Sequence, residues 1–143
     1  MVFLKKWSLF SFLLGLSFCR SIPFVPNQYE GDVIRFGKGG GITGSVTEFI
    51  LTDKNELYRG EGMMDRQFSR VKSLPKATFQ RFTQNFQVLH LGAMEVDRPG
   101  DLYFFVESHL DGTTHRITWG DNRFDPPRNL VLFYNLLVEI TKD

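Results

Sequence analysis

The chain has 143 residues, with 17 Lys and Arg against 16 Asp and Glu, 42% hydrophobic and 23% charged residues, and a net charge of +1. This is the composition of one ordinary folded domain, and it excludes a disordered chain or a bundle of membrane spans. A single Cys excludes an internal disulfide framework and a multi-thiolate metal centre, and so near-neutral a balance removes any general electrostatic pull towards nucleic acid.

In chain order, Lys5 and Lys6 precede an apolar run from Trp7 to Phe18. That run is shorter than the roughly 20 residues a helix needs to cross a bilayer, and it has the length of a secretory h-region. Residues 1–18 are therefore read as a signal peptide. Leu16-Ser17-Phe18-Cys19 resembles a bacterial lipobox, with Phe18 where a small residue is usual, and this makes Cys19 the expected lipidation site. Ordinary cleavage near Ser17 or Ser21, giving a soluble secreted or periplasmic protein, stands beside it, as does an uncleaved anchor. Cleavage before Cys19 removes two of the 17 basic residues and none of the 16 acidic ones, turning the net charge from +1 to −1. Residues 19–30 lack any period and contain Pro23, Pro26 and Asn27, so they read as a lipidated N-terminus and tether to a domain spanning 31–143.

Within that domain, Asp32 to Phe36 alternates as a strand. Gly37-Lys38-Gly39-Gly40-Gly41-Ile42-Thr43-Gly44 is too glycine-rich for a favourable strand interior and predicts a turn with close backbone approach. Ser45 to Thr52 is β-branched and aromatic, Asp53-Lys54-Asn55 is a turn, and Glu56 to Arg59 closes a three-stranded meander. Residues 60–65 read as a loop, and Gln67 to Lys72 as a short extended piece. Ser73 is a candidate cap and Pro75 a first-turn residue for a helix over about 76–90, in which Phe79, Phe82, Phe86 and Leu89 share one stripe. Leu102 to Leu110 and Thr113 to Trp119 flank Asp111-Gly112, the preferred two-residue hairpin turn. That register sets Glu107 opposite Arg116, Val106 opposite Ile117 and Phe104 opposite Trp119. Asp125-Pro126-Pro127 opens a last helix with Leu130, Phe133, Tyr134, Leu137 and Ile140 on its apolar stripe. The expected fold is α+β, an antiparallel sheet of about five strands in the order β-β-β-α-β-β-α with two helices on one face.

The glycine cluster fails as a nucleotide site, because Lys38 is followed by Gly39 rather than Ser or Thr, and Ile42 to Leu51 continues as strand rather than helix. The hairpin register sends His109 and His115 to opposite faces, so neither they nor His90 suggest a metal site, and no cofactor is expected. Nucleophilic catalysis has neither a Gly-x-Ser-x-Gly elbow nor a free cysteine after acylation. What remains is surface: the Gly39, Gly40, Gly41, Ile42 and Thr43 loop, Tyr103 and Phe105 on the sheet face away from the helices, and Arg123-Phe124 in the loop before the last helix.

Gly39-Gly40-Gly41-Ile42-Thr43-Gly44 ahead of a strand, Pro99 to Phe105 at the hairpin, and Thr118-Trp119-Gly120 before the last helix together resemble a family of short bacterial lipoproteins. That family carries a GGG(F/I)TG element and a closing TWG segment, and the similarity runs from about Phe36 to Ile140. More distantly the layout resembles emfourin, a small bacterial inhibitor of thermolysin-type metalloproteases with a Gly-Gly-aromatic-x-Gly start, Ile42 standing at the aromatic position. The resemblance implies an exported envelope protein, held to a membrane through Cys19, whose partner is an extracytoplasmic protein or a protease. It transfers no inhibitory residue. The expected function is a non-catalytic binding module. The alternatives are a small secreted hydrolase using a pair among the turn carboxylates Asp53, Asp65, Asp97, Asp101, Asp121 and Asp125, none of which the sequence singles out, or a self-associating structural component.

Overall fold

The computed structural model describes residues 22–143; residues 1–18, read above as a signal peptide, and Cys19 lie outside the described residues. The elements are β1 (Val33–Gly40), β2 (Val46–Thr52), β3 (Glu56–Gly62), β4 (Phe68–Ser73), α1 (Thr78–Val88), β5 (Asp97–Arg98), β6 (Leu102–Leu110), β7 (Thr113–Trp119) and α2 (Arg128–Glu139). All seven strands join one sheet in the order β4-β3-β2-β1-β6-β7-β5. Its pairs are antiparallel apart from β5 against β7.

The α+β class and the mostly antiparallel sheet follow the periodicity of the sequence, but a sheet of about five strands is too small. The two extra strands are both edges. Ser69, Arg70 and Lys72 make β4 charged and exposed, and a bulge between Leu57 and Tyr58 of its partner strand breaks the regular alternation. Such an edge discourages pairing with a second chain. Strand β5 is only Asp97 and Arg98, too short to carry any period.

The hairpin β6–β7 has the register that the sequence implies: Glu107 opposite Arg116, Val106 opposite Ile117 and Phe104 opposite Trp119. Its turn residues Asp111 and Gly112 both hold positive φ, 50° and 75°. Strand β1 is the larger correction. It does not stop at Phe36 but runs on through Gly37, Lys38 and Gly39, paired on both sides, to Gly40, paired with Leu102 alone. The turn begins only at Gly41. A methyl group added at Gly37 would lie 2.1 Å from the Thr47 carbonyl oxygen, and one at Gly39 would lie 2.6 Å from the Tyr103 hydroxyl oxygen. These glycines are strand residues that let neighbours lean over the backbone.

One face of the sheet and the two helices enclose the core. Ile34 and Phe36 of β1, Leu51 of β2, Leu57 of β3, Val106 of β6 and Ile117 of β7 meet the helical stripes there. The helices contribute Phe79, Phe82 and Phe86 from α1 and Leu130, Phe133 and Leu137 from α2. The Phe133 ring sits edge-on to Phe82 and Phe86, with both centroids 5.8 Å away. That arrangement locks the helices to each other over the sheet.

Ser73 does not cap α1. It ends β4, where its hydroxyl donates to Glu56 Oε1 at 2.8 Å. The helix starts at Thr78, after Ala77 in the left-handed region with φ 67°, and its orphan donors are met from elsewhere. Asn55, in the β2–β3 turn, accepts the Phe79 backbone N–H on Oδ1 at 2.8 Å, and its carbonyl accepts from Leu74 N–H at 2.8 Å. Asn55 itself holds φ 58°, which Gly also tolerates. Asn55→Gly should therefore keep the turn but lose the hydrogen bond to Phe79 N–H, lowering the unfolding free energy by about 1 kcal/mol in urea denaturation. An unchanged midpoint would show that the tertiary cap contributes nothing.

Candidate functional site

Registers place three connections and the start of β6 at one end of the sheet. Gly39 pairs with Val46, Val46 with Gly62, Gly40 with Leu102 and Phe104 with Trp119. The 41–45 turn, the 63–67 loop and the 120–127 loop therefore emerge together, beside Leu102. Of the surface residues read from the sequence, Gly39 to Thr43, Tyr103, Arg123 and Phe124 all belong to this end.

The base of the turn is rigid and its tip is free. Gly41 N–H donates to the Asp101 carbonyl at 2.7 Å, and a methyl group added at Gly40 would lie 2.1 Å from that same oxygen. Beyond it, methyl groups added at Gly41 or Gly44 would meet nothing within 4 Å, although both glycines hold positive φ. Ile42 stands between them fully exposed. Leu102, Met63 and Met64 at the same end are also exposed, so four apolar side chains are displayed where three connections converge. The sequence reading found Ile42 through its glycine frame. It missed Met63 and Met64, whose shared position with Ile42 depends on the order of strands in the sheet.

The Arg123-Phe124 loop is held by Asp121. Its carboxylate accepts the Arg123 backbone N–H at 3.0 Å and lies 3.8 Å from the Arg98 guanidinium. That backbone donor first, and the two arginine charges after it, keep the Asp121 carboxyl below its ordinary range. Arg98 in turn lies over the Phe124 ring, 5.5 Å from its centroid, which makes Phe124 part of the packing while Arg123 reaches into solvent.

Phe105 is a correction. It does lie on the face away from the helices, but it is only 1% exposed and so cannot offer a contact surface. Around it that face is closed by charge and aromatic rings instead of a third layer. Glu48 of β2, also 1% exposed, has Gly37 opposite it on one side and Gly60 on the other. Its Oε1 accepts from Arg35 Nε at 2.6 Å and its Oε2 from Arg66 at 2.7 Å. Arg35 continues to Glu107 at 3.6 Å, and Glu107 to Arg116 at 3.1 Å. The Arg116 guanidinium covers the Phe105 ring at 4.1 Å. Part of the segment read as tether also lies here. Phe24 bridges to Phe68 and stacks on Tyr58 at 3.9 Å, and the Tyr29 hydroxyl donates to Asp53. Residues 24–29 are thus a strap across the sheet, because their aromatic rings find half-covered partners there.

The histidines stay apart. His109 Nδ1 meets Thr114 Oγ1 at 2.7 Å on one face of the hairpin, and His115 Nε2 meets the Met94 carbonyl at 2.9 Å on the other. Among the described residues, no group of three or more His, Cys, Asp or Glu is arranged to hold a metal ion. Among them, too, no helix is long and apolar enough to cross a membrane. Glu56 is held below the ordinary carboxylate range by hydrogen bonds from Arg70 and then Ser73, which suits an ion pair rather than an acid catalyst. No protein-family model matches the chain, and no curated protein matches it.

On the helical side, Tyr134 of α2 donates to the Gly37 carbonyl at 3.2 Å, and burial pushes its hydroxyl up from 10.0 to about 12. The folded value lies above the unfolded one, so this stabilisation is complete below pH 10 and is lost as pH rises through 12. Tyr134→Phe should flatten that stretch of the stability–pH curve by roughly 2–3 kcal/mol relative to wild type. Equal alkaline slopes in the two proteins would contradict it. On the opposite face, Glu48→Gln should cost about 2–3 kcal/mol, less than a fully buried pair because both arginines are part-exposed and can rehydrate. Combined with Arg66→Met, the loss should fall short of the two single losses together, whereas strict additivity would mean that the pair is not coupled.

Proposed function

We propose that this chain is a non-catalytic binding module of the bacterial cell envelope, acylated at Cys19, which recognises an extracytoplasmic protein through the Ile42 end of its sheet. The observation that carries the reading is the display of Ile42, Met63, Met64 and Leu102 at one end of the sheet, Ile42 on a turn whose base is pinned to the Asp101 carbonyl. Exposed apolar side chains cost solvation unless a partner covers them, and a preorganised support reduces the entropy lost on binding. Methionine pairs well with such a role, since its thioether adapts to irregular surfaces.

The resemblance to small envelope lipoproteins supports the location. The more distant likeness to emfourin supports an extracytoplasmic protease as one class of partner, met by a protruding apolar loop. The turn aspartates do not favour the hydrolase alternative: Asp53 and Asp121 are both engaged in local hydrogen bonds. Exposed Leu132 and Leu136, one helical turn apart on α2, keep self-association as the second reading.

Affinity purification from detergent-solubilised envelopes tests the proposal. A partner should be recovered in fixed stoichiometry with the wild-type chain and lost with Ile42→Asp and Met64→Asp, each melting within about 0.5 kcal/mol of wild type because both side chains are exposed. Leu132→Asp should retain it. Recovery that survives both end variants, or fails only with Leu132→Asp, would transfer the role to the helical face. The anchor is read separately, by an intact mass that includes acyl chains on Cys19 and loses them in Cys19→Ser.

A further inference from the structure

A concave site lies on the other side of the sheet from the Glu48 network, where β1 and β2 meet the C-terminal half of α2. It is a groove of about 350 Å³ walled by Phe49, Phe104 and Tyr134 over the fully buried Phe36, with exposed Lys38 and Asn135 also lining it. Phe36 and Phe49 stack with centroids 5.5 Å apart, and Phe104 meets Tyr134 edge-on at 5.6 Å. The volume falls at the small end of the range of ligand pockets, roughly 300–1,000 Å³.

The charge at its mouth has one sign. Lys38 stands opposite Phe104 on β6 and Thr47 on β2, so its side chain rises on the face that bears the groove. It is exposed, and among the described residues it has no ion-pair partner. The acidic side chain facing it across the next strand is Glu61, opposite Thr47, and that carboxylate is already paired with Arg59 at 2.8 Å. The Tyr134 hydroxyl is committed to the Gly37 carbonyl and offers its ring rather than a donor. A mostly apolar cleft, with Thr47, Asn135 and Thr141 as its neutral polar lining and Lys38 as its one uncompensated charge, matches an amphipathic anion.

We propose that this groove binds a small amphipathic carboxylate, its hydrocarbon body between the aromatic rings and its carboxylate on the Lys38 ammonium. The inference does not depend on the Ile42 end, since Ile42, Met63, Met64 and Leu102 do not line the groove. Aromatic walls accept a flat or aliphatic body by dispersion, and the ion pair at the mouth gives the preference for an anion over a neutral analogue.

Decanoate is the probe, titrated into the full-length chain with ¹⁵N amide shifts as the readout, so that partitioning elsewhere is distinguished from binding at the groove. Saturable shifts should appear at Lys38, Thr47, Tyr134 and Val138. Decanol should bind there about tenfold more weakly. Lys38→Met, an exposed substitution that leaves the fold intact, should weaken decanoate by about the same factor and leave decanol unchanged, while Ile42→Asp alters neither. Absence of groove shifts at millimolar decanoate would overturn the proposal. So would equal affinity for decanoate and decanol, or a Lys38→Met variant that binds decanoate as wild type does.

Discussion

A sheet of seven strands has two faces, and two helices can cover only one of them. Everything else in the molecule follows from how the second face is kept from water. Its centre is a carboxylate, Glu48, clamped between Arg35 and Arg66, and this buried charge is tolerable because both of its oxygens are occupied by guanidinium donors. Gly37 and Gly60 flank it on the neighbouring strands, and a Cβ at Gly37 would collide with the Thr47 carbonyl. A methyl group on Gly60 would lie 2.8 Å from the Phe68 ring, and one on Gly39 would lie against Tyr103. Gly39 and Gly60, which would weaken a strand in isolation, are here the positions against which aromatic side chains pack.

The same device sets the geometry of the exposed end. Because β1 continues through its glycines, paired on both sides to Gly39 and with β6 at Gly40, the turn that follows has a fixed start, and its base is tied to Asp101. Only the tip, from Gly41 to Gly44, projects. The Asp121 knot holds the neighbouring loop in a comparable way, through a backbone donor and two arginines. Rigid supports under free apolar tips are what a recognition surface requires, since the entropy of ordering the loop has already been lost in folding.

Different parts of the chain were legible to different depths. The β6–β7 hairpin could be read to the residue, because Asp111-Gly112 imposes a two-residue turn and a one-residue slip would move Val106 and Ile117 out of the core. The phenylalanine stripe of α1 and the leucine–phenylalanine stripe of α2 were equally plain, since helical period and burial agree. The start of α1 was not: Ser73 and Pro75 have the local chemistry of a helix start, yet the donor at Phe79 is satisfied by Asn55, more than twenty residues upstream. Phe105 had the spacing of a solvent-facing residue, and it is buried because Arg116 lies over it from the adjacent strand.

Composition and local period by themselves determined the class of the fold, the two helices, the central hairpin and the glycine-framed loop, because burial on one face forces a regular spacing that the chain must display. Only the tertiary structure decided whether a glycine run is turn or strand, which polar side chain is buried, and which exposed residues share an end. Each of those depends on what stands opposite across a strand pair, and strand order is a relation between distant segments that no local pattern encodes.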